Sequence, residues 1–139
     1  MNSDIMERES PMSELDADDR PLALVLNRDL LFGSQIRGAL KALGLGSRVL
    51  PDTARFVAVL ASDGDDLAIA IIDMNGAVDW RMVGDALAAA NNPPPTLAFG
   101  PHVDAANRRA AKAAGITRVV SNGQFHADAS ALVDRYRRR

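Results

Sequence analysis

The sequence predicts an α/β domain in which helices cover both faces of a doubly wound, parallel five-stranded sheet, giving three layers. Two observations carry this prediction. Five short, continuous apolar runs recur after residue 21, and a segment with helical spacing follows each of them. Runs of this kind are typical of parallel strands that are buried on both faces. Because strand–helix–strand crossovers are right-handed, the helices are expected on both sides of the sheet.

The five strands are predicted at the apolar runs, and the helices are predicted between and after them. In chain order the strands are 22–26, 48–50, 67–72, 96–99 and 118–120. The helices are 29–43, 53–61, 79–90, 104–114 and 124–136, where apolar side chains recur near a period of 3.6 or alanine dominates. Gly44 and Gly46 are expected to end the first helix and Gly115 the fourth. The segment 91–95 contains three prolines and predicts a stiff loop before the fourth strand.

Composition and length are those of one globular domain. The chain has 139 residues, of which 47% are apolar and 24% charged. It contains no cysteine, which excludes disulfides, thiolate metal sites and cysteine nucleophiles. No apolar run approaches the roughly 20 residues that a membrane-spanning helix needs. The chain does not open with the basic and then apolar order of a secretory signal, so we expect a cytoplasmic protein.

Charge divides the chain into two parts. Residues 1–20 carry seven acids and two bases and show no apolar period. They are predicted to form a disordered acidic tail, because such a segment buries too little surface to offset the entropy of ordering. Residues 21–139 are predicted to form the domain, with a net charge of +3. That charge is too small to indicate a nucleic-acid partner.

The working groups of a doubly wound sheet lie at the carboxyl ends of its strands. In this chain those ends are 27–29, 51–52, 73–76, 100–102 and 121–123. Asp73 follows the apolar residues Ile71 and Ile72 at the end of the third strand. It is the acid on which the functional interpretation depends.

From residue 21 to about residue 137, the chain resembles the receiver domains of response regulators. The resemblance rests on the fivefold strand–helix repeat, on its spacing and on Asp73, which stands where receivers carry the phosphoacceptor aspartate. The segment 115–120 also resembles the receiver segment that leads into the fifth strand. The resemblance implies a flavodoxin-like (βα)5 fold with strand order 2-1-3-4-5.

The positions at which receivers hold Mg²⁺ differ in this chain. Receivers have a pair of acids after the first strand, and the aligned residues here are Asn27 and Arg28. Asp29 lies one place further and is expected to begin the first helix. Mg²⁺ prefers carboxylate and other oxygen ligands, so a fixed positive charge at Arg28 opposes its binding. The sequence leaves two arrangements open. In one, Arg28 pairs with Asp73 in the place of the metal, and in the other both side chains face solvent.

The remaining positions of the receiver pattern differ as well. Gly100 stands in place of the threonine or serine at the end of strand four. Ser121 stands in place of the lysine at the end of strand five, and Asn122 replaces the proline that usually follows. The loop that begins at Met74 looks shorter than in receivers. Phosphoryl transfer depends on positioning and on neutralising charge, so each loss weakens the chemistry.

We therefore interpret the chain as a stand-alone, degenerate receiver that acts as a signalling or regulatory interaction module. It is expected to have no enzymatic activity, no cofactor and no Mg²⁺-dependent phosphorylation. The resemblance implies a protein partner or a homodimer through residues 104–136, since receivers commonly associate through the fourth helix, fifth strand and fifth helix. Neither a nucleic acid nor a membrane is expected as a partner. The arginines at 135 and 137–139 are expected to be a solvated helix end.

Two alternatives remain open. In the first alternative, the chain is an atypical response regulator of a two-component phosphorelay. It is then phosphorylated on Asp73, with Asn27 and Asp29 as weak Mg²⁺ ligands. Otherwise it is a small enzyme or ligand binder that uses the same cleft, with His102 as a candidate side chain, although no nucleophile–base pair accompanies it. His102 also fits a recognition loop, in which Asp104 begins the fourth helix.

Overall fold

In the computed structural model, which describes residues 20–139, a single parallel sheet carries helices on both faces. The strands are β1 (Leu22–Leu26), β2 (Gly46–Leu50), β3 (Leu67–Asp73), β4 (Thr96–Gly100) and β5 (Arg118–Ser121). The helices are α1 (Leu30–Ala42), α2 (Thr53–Asp63), α3 (Trp80–Ala89), α4 (Ala105–Ala113) and α5 (Asn122–Tyr136), and a 3-10 turn (Gly64–Asp66) follows α2. The strand order β2-β1-β3-β4-β5 confirms the predicted order 2-1-3-4-5. The expectation of a disordered tail falls outside the described residues, except for Arg20.

The core is built on both sides of β3, all seven residues of which are buried. One cluster packs the sheet against α2, α3 and α4 through residues such as Phe56, Leu60, Val83 and Ala111. The other packs the sheet against α1 and α5 through residues such as Ile36, Leu40, Phe125 and Val133. The rings of Phe99 and Phe125 stack with their centroids 4.1 Å apart. Burial on both faces explains why the strands appear in the sequence as continuous apolar runs.

Every helix begins at a capping side chain on the carboxyl edge of the sheet, the edge at which the parallel strands end. The N-cap residues of α1 to α5 are, in order, Asp29, Asp52, Asp79, Asp104 and Ser121. Each side chain accepts a hydrogen bond from a backbone N–H in the first turn of its helix, which satisfies a donor that has no partner within the helix. The caps predicted at Asp29 and Asp104 are confirmed. These side chains, four carboxylates and one hydroxyl, hold the starts of the helices in place.

Two sequence expectations near helix ends are wrong in detail. Gly44, with φ of 75°, follows α1 as expected, but Gly46 belongs to β2 and does not end the helix. The N–H of Gly46 donates to Pro21 O at 2.9 Å, so this glycine already pairs with the chain that enters β1. Helix α5 begins at Asn122, two residues earlier than predicted, and contains a break at Asp128 (φ −131°, ψ 29°).

The expectation of a fully solvated arginine cluster after α5 is also wrong, because Arg138 crosses the amino edge of the sheet. Its backbone N–H donates to Ala68 O at 2.9 Å. Its guanidinium donates to the backbone carbonyls of Gly64, Asp65, Leu67, Asn92 and Pro93. We call this arrangement the Arg138 clamp. A planar guanidinium with five N–H donors suits such a convergence of carbonyl oxygens.

Within residues 20–139, the helices are all too short or too polar to span a bilayer.

Candidate functional site

The candidate site lies at the carboxyl edge, where the neighbouring strands β1 and β3 end. Asp73 is the last residue of β3 and Asn27 directly follows β1, and each is only 6% exposed. Leu26 pairs with Ile72 in the sheet, so the next residue of each strand lies beside the other. A cavity of about 320 Å³ opens beside them. Its lining residues are Leu26, Asn27, Arg28, Asp29, Pro51, Asp73, Asn75, Gly76 and Ala77.

Three amide N–H groups surround the carboxylate of Asp73. The Nδ2 of Asn27 donates to Oδ2 at 2.7 Å. The backbone N of Asn75 donates to Oδ1 at 2.8 Å, and its Nδ2 donates to the same oxygen at 2.7 Å. We call Asn27 and Asn75 the amide cage. A buried carboxylate is tolerated only when hydrogen bonds replace its lost hydration, and the cage supplies them without any positive charge.

A second amide contact ties the cage to the start of α5. The Nδ2 of Asn75 donates to the Oδ1 of Asn122, and the Nδ2 of Asn122 donates to the Oδ1 of Asn75, both at 2.9 Å. This reciprocal pair joins the loop after β3 to the loop after β5. Sequence reasoning places Asn75 only within the strand end 73–76 and Asn122 only as the replacement of a proline, and it predicts no contact between them. The signal it passed over was Asn75, two residues after Asp73, which is the spacing at which an aspartate side chain accepts from the backbone.

The arrangement in which Arg28 pairs with Asp73 is contradicted by the structure. Arg28 is exposed, and its Nε donates to Pro51 O at 3.3 Å. The reason is the alternation of side chains along an extended chain: Asn27 points inward to Asp73, so Arg28, the next residue, points away. Asp29 is also committed elsewhere, because its Oδ1 caps α1 by accepting from Leu31 N at 2.8 Å.

Gly100 leaves no room for a hydroxyl side chain at the end of β4. A Cβ placed on Gly100 would lie 2.9 Å from Met74 Cβ and 3.1 Å from Met74 Cε. Met74 is 3% exposed, and its N–H donates to Phe99 O at 2.8 Å. Receivers carry threonine or serine at the position of Gly100. In this chain the buried side chain of Met74 fills the space that such a side chain would need.

Ser121 and His102 lie apart from the amide cage. The Oγ of Ser121 accepts from Gln124 N at 3.1 Å as the cap of α5. His102 is exposed in the turn between β4 and α4 and does not line the cavity beside Asp73. Within the described part of the chain, no group of three or more histidine or carboxylate side chains is placed to hold a metal ion.

The amide cage makes a prediction for Gly33 in α1. A Cβ on Gly33 would lie 2.8 Å from Asn27 Oδ1, whereas a Cβ on Gly38 in the same helix would meet nothing within 4 Å. Alanine in place of a helical glycine normally stabilises by about 1 kcal/mol. We expect Gly38→Ala to show that gain in urea unfolding. We expect Gly33→Ala to lower the free energy of unfolding by about 1 kcal/mol, because displacing Asn27 leaves the carboxylate one donor short.

Nuclear magnetic resonance separates this loss from a general defect in α1. The side-chain amide resonances of Asn27 should shift in the Gly33→Ala variant. In the Gly38→Ala variant the same Asn27 resonances should keep their positions. Equal stabilisation of both variants would show that Asn27 adapts without leaving Asp73.

Comparison with known proteins adds a likeness of fold. No family model matches the chain, and no curated protein sequence is significantly similar to it. A response regulator from Thermotoga maritima superposes with a TM-score of 0.68 at 11% identity, covering 84% of this chain and 97% of that one. A chemotaxis protein from Vibrio cholerae gives a TM-score of 0.68 at 14% identity, with coverage of 84% and 98%.

A third structure is the receiver domain of a sensor histidine kinase from Pseudomonas aeruginosa, which holds a magnesium ion in its active-site cleft. It superposes with a TM-score of 0.70 at 15% identity, covering 84% of this chain and 97% of that one. The chain thus has the fold of receiver domains over most of its length. At such identities the likeness concerns the fold, and the chemistry has to be argued from the side chains.

Proposed function

We propose that the chain is a receiver-like signalling domain that acts by docking a protein partner, without Mg²⁺-dependent phosphorylation of Asp73. One observation carries the proposal. Both carboxylate oxygens of Asp73 accept hydrogen bonds from neutral amides at 2.7–2.8 Å. The group that would accept a phosphoryl group is therefore held as a satisfied structural carboxylate.

The side chains around Asp73 do not fit a magnesium ion. Mg²⁺ requires about six oxygen ligands in octahedral geometry and is usually held by one or two carboxylates with phosphate and water. The side-chain amide of Asn27 donates to Asp73, and the carboxylate of Asp29 caps α1 by accepting from Leu31 N. Among residues 20–139, Asp73 is the only carboxylate in the cavity lining that does not cap a helix. The proposed function therefore includes no metal-dependent step.

The site also lacks the groups that would steady a phosphoryl group. Transfer depends on donors and cations placed at the equatorial oxygens. Gly100 offers no hydroxyl, and Ser121 uses its hydroxyl to cap α5. No lysine lines the cavity, and Arg28 is directed toward Pro51. The neutral amides favour a single state of the site over a switch between two.

Docking is proposed at residues 104–136, which we call the α4–β5–α5 surface. Helix α4 buries only Ala111 and is otherwise exposed or half-buried. Small side chains such as Ala106 and Ala113 allow another backbone to approach closely. A helix that contributes so little to the core is available to a partner protein or to a second copy of the chain.

A second candidate is an atypical response regulator that accepts phosphate on Asp73. The observation that favours it is the cavity of about 320 Å³ beside the carboxylate, with the guanidinium of Arg28 at its rim. In this function a phosphodonor reaches Asp73 through the cavity, and Arg28 turns inward to meet the anion.

A titration with Mg²⁺ and then beryllofluoride, followed by ¹H–¹⁵N NMR, separates the two candidates. For the native chain we expect no saturable shifts at the residues around Asp73. The double variant Asn27→Asp/Arg28→Asp is the control, since it removes one cage donor and supplies an acid pair. It should respond to Mg²⁺ and so prove that the experiment detects binding at this edge. Saturable shifts centred on Asp73 in the native chain would establish the second candidate.

A further inference from the structure

The charges of the chain are distributed unevenly between its two parts. Residues 20–139 contain fifteen basic and eleven acidic residues, a net charge of +4. Residues 1–19 contain seven acids and one base, a net charge of −6. The two parts of the chain thus carry net charges of opposite sign. The net charge of each part is balanced either by ions from the solvent or by the other part of the chain.

Part of the positive excess is concentrated on one surface. On α4, Lys112 follows Arg109 by three residues and Arg108 by four, which places Lys112 next to both on the helix surface. Arg118 is exposed at the start of β5, directly after α4. We call these four residues the α4 cationic patch.

The patch has no acidic partner within residues 20–139. The ion pairs of this part of the chain use Arg48, Arg55, Arg137 and Arg139. Asp104, the nearest acid in sequence, gives its carboxylate to Asn107 N at the cap of α4. Four neighbouring cations without a carboxylate repel one another and favour any acidic segment that comes within reach.

Residues 1–19 join the domain close to the patch. They connect through Arg20 and Pro21 to β1, at the amino edge of the sheet. Strand β5 lies three strands away from β1, which is about 14 Å at the usual strand spacing of 4.7–4.9 Å. Helix α4 returns to the same edge, with Lys112 near its end. Nineteen residues can span up to about 60 Å, so the whole patch is within reach.

The patch also borders a groove that can take apolar side chains. The space between α3 and α4 measures about 990 Å³. Its walls include the apolar side chains of Trp80, Leu87, Ala110 and Ala113, together with the charged residues Arg81 and Asp85. Among its acids, the segment 1–19 contains Ile5, Met6, Met12 and Leu15. An acidic segment with occasional apolar residues matches a basic ridge beside an apolar groove.

We propose that residues 1–19 bind the α4 cationic patch of the same molecule and so cover part of the α4–β5–α5 surface. A single exposed ion pair contributes little on its own. Attachment through Arg20 raises the effective concentration of the segment to the millimolar range, which lets several weak pairs act together. The bound segment competes with any partner that uses this surface. The proposal does not depend on the chemistry of Asp73.

The full-length chain allows a direct test, because it contains no cysteine. A spin label attached to the cysteine of the Ser13→Cys variant broadens the amide resonances of residues that lie close to it. We expect broadening at residues 108–118, and we expect it to disappear at about 1 M salt, where the Debye length falls to about 3 Å. A sample that mixes spin-labelled, unenriched chain with ¹⁵N-enriched, unlabelled chain reports whether the contact is made between molecules.

Matched charge reversals identify the binding surface. Arg109→Glu/Lys112→Glu should abolish the broadening at α4. Arg37→Glu/Lys41→Glu, which makes the same charge change on exposed positions of α1, should leave it unchanged. Broadening confined to residues next to Arg20, broadening that survives the α4 reversal, or broadening that appears in the mixed sample would each overturn the proposal. Loss of this contact leaves the Mg²⁺ titration at Asp73 as a separate test of the proposed function.

Discussion

Replacing Arg138 by alanine is expected to lower the free energy of unfolding by about 2–4 kcal/mol, measured by urea denaturation. The Arg138 clamp donates to five backbone carbonyls, of which those of Gly64 and Leu67 belong to part-buried hydrogen bonds. Hydrogen bonds to a charged group contribute about 1.5–3 kcal/mol each when shielded, and less when exposed. Because the five share one side chain, their contributions do not add, and the expected loss is well below their sum.

Two further variants test whether geometry or charge is responsible. Arg139→Ala removes an exposed arginine that pairs with Asp134 at 3.1 Å, and it should cost less than about 1 kcal/mol. Arg138→Lys keeps the charge but loses the planar fork, so it should recover only part of the stability. Full recovery by lysine, or an equal loss at Arg139, would show that the clamp acts only through its charge.

Introducing a methyl group at Gly100 is the second substitution expected to have a large effect. Gly100→Ala should lower the free energy of unfolding by about 1–3 kcal/mol, the usual cost of overpacking a filled core. The added Cβ would lie 2.9 Å from Met74 Cβ, a separation too short for two carbon atoms. Because Met74 directly follows Asp73, relief of the clash also shifts the end of β3.

A double-mutant cycle with Met74→Ala is the control for this prediction. Met74→Ala alone removes a buried side chain and is expected to cost about 2–5 kcal/mol. In the double variant alanine keeps the Cβ at 2.9 Å from the new methyl group, but the contact with Met74 Cε at 3.1 Å is gone, so part of the clash is relieved. The combined loss should be smaller than the sum of the single losses by about 0.5–3 kcal/mol. Simple additivity would mean that the clash does not involve the part of the Met74 side chain beyond its Cβ.

The alternation of strands and helices could be predicted because its signals are local, whereas the strand order came from the resemblance to receiver domains. The inner strands β1, β3 and β4 are largely continuous apolar runs, the edge strands β2 and β5 contain only short ones, and caps such as Asp29 and Asp104 stand directly before the helices that they begin. Parallel pairing and right-handed crossovers then leave few ways to arrange five such units. Gly46 was misassigned because a glycine after a helix favours both a helix end and a close approach of chains, and only its partner Pro21 decides between them.

The contacts of the site could not be predicted, because they join residues far apart in the chain. Asn27 meets Asp73 across 46 residues, and Asn75 meets Asn122 across 47. Sequence alone gives the side chains at the carboxyl edge but not how far the extended backbone of β1 continues past Leu26, which decides that Asn27 and not Arg28 faces Asp73. The Arg138 clamp was missed for the same reason, since an arginine after a helix is ordinarily solvated and its carbonyl partners carry no side-chain signal.

The reciprocal pair of Asn75 and Asn122 also bears on the chemical ageing of the molecule. Each asparagine is followed by glycine, and these are the only two Asn-Gly sequences in the chain. Asparagine is thermolabile, and a following glycine lets the backbone nitrogen attack the side-chain carbonyl most easily, with loss of ammonia. That attack requires the side chain to rotate out of its hydrogen bonds, so the pair slows deamidation of both residues. Once Asn75 is converted to aspartate, Asp73 loses a donor and gains a negative neighbour, and the amide cage opens irreversibly.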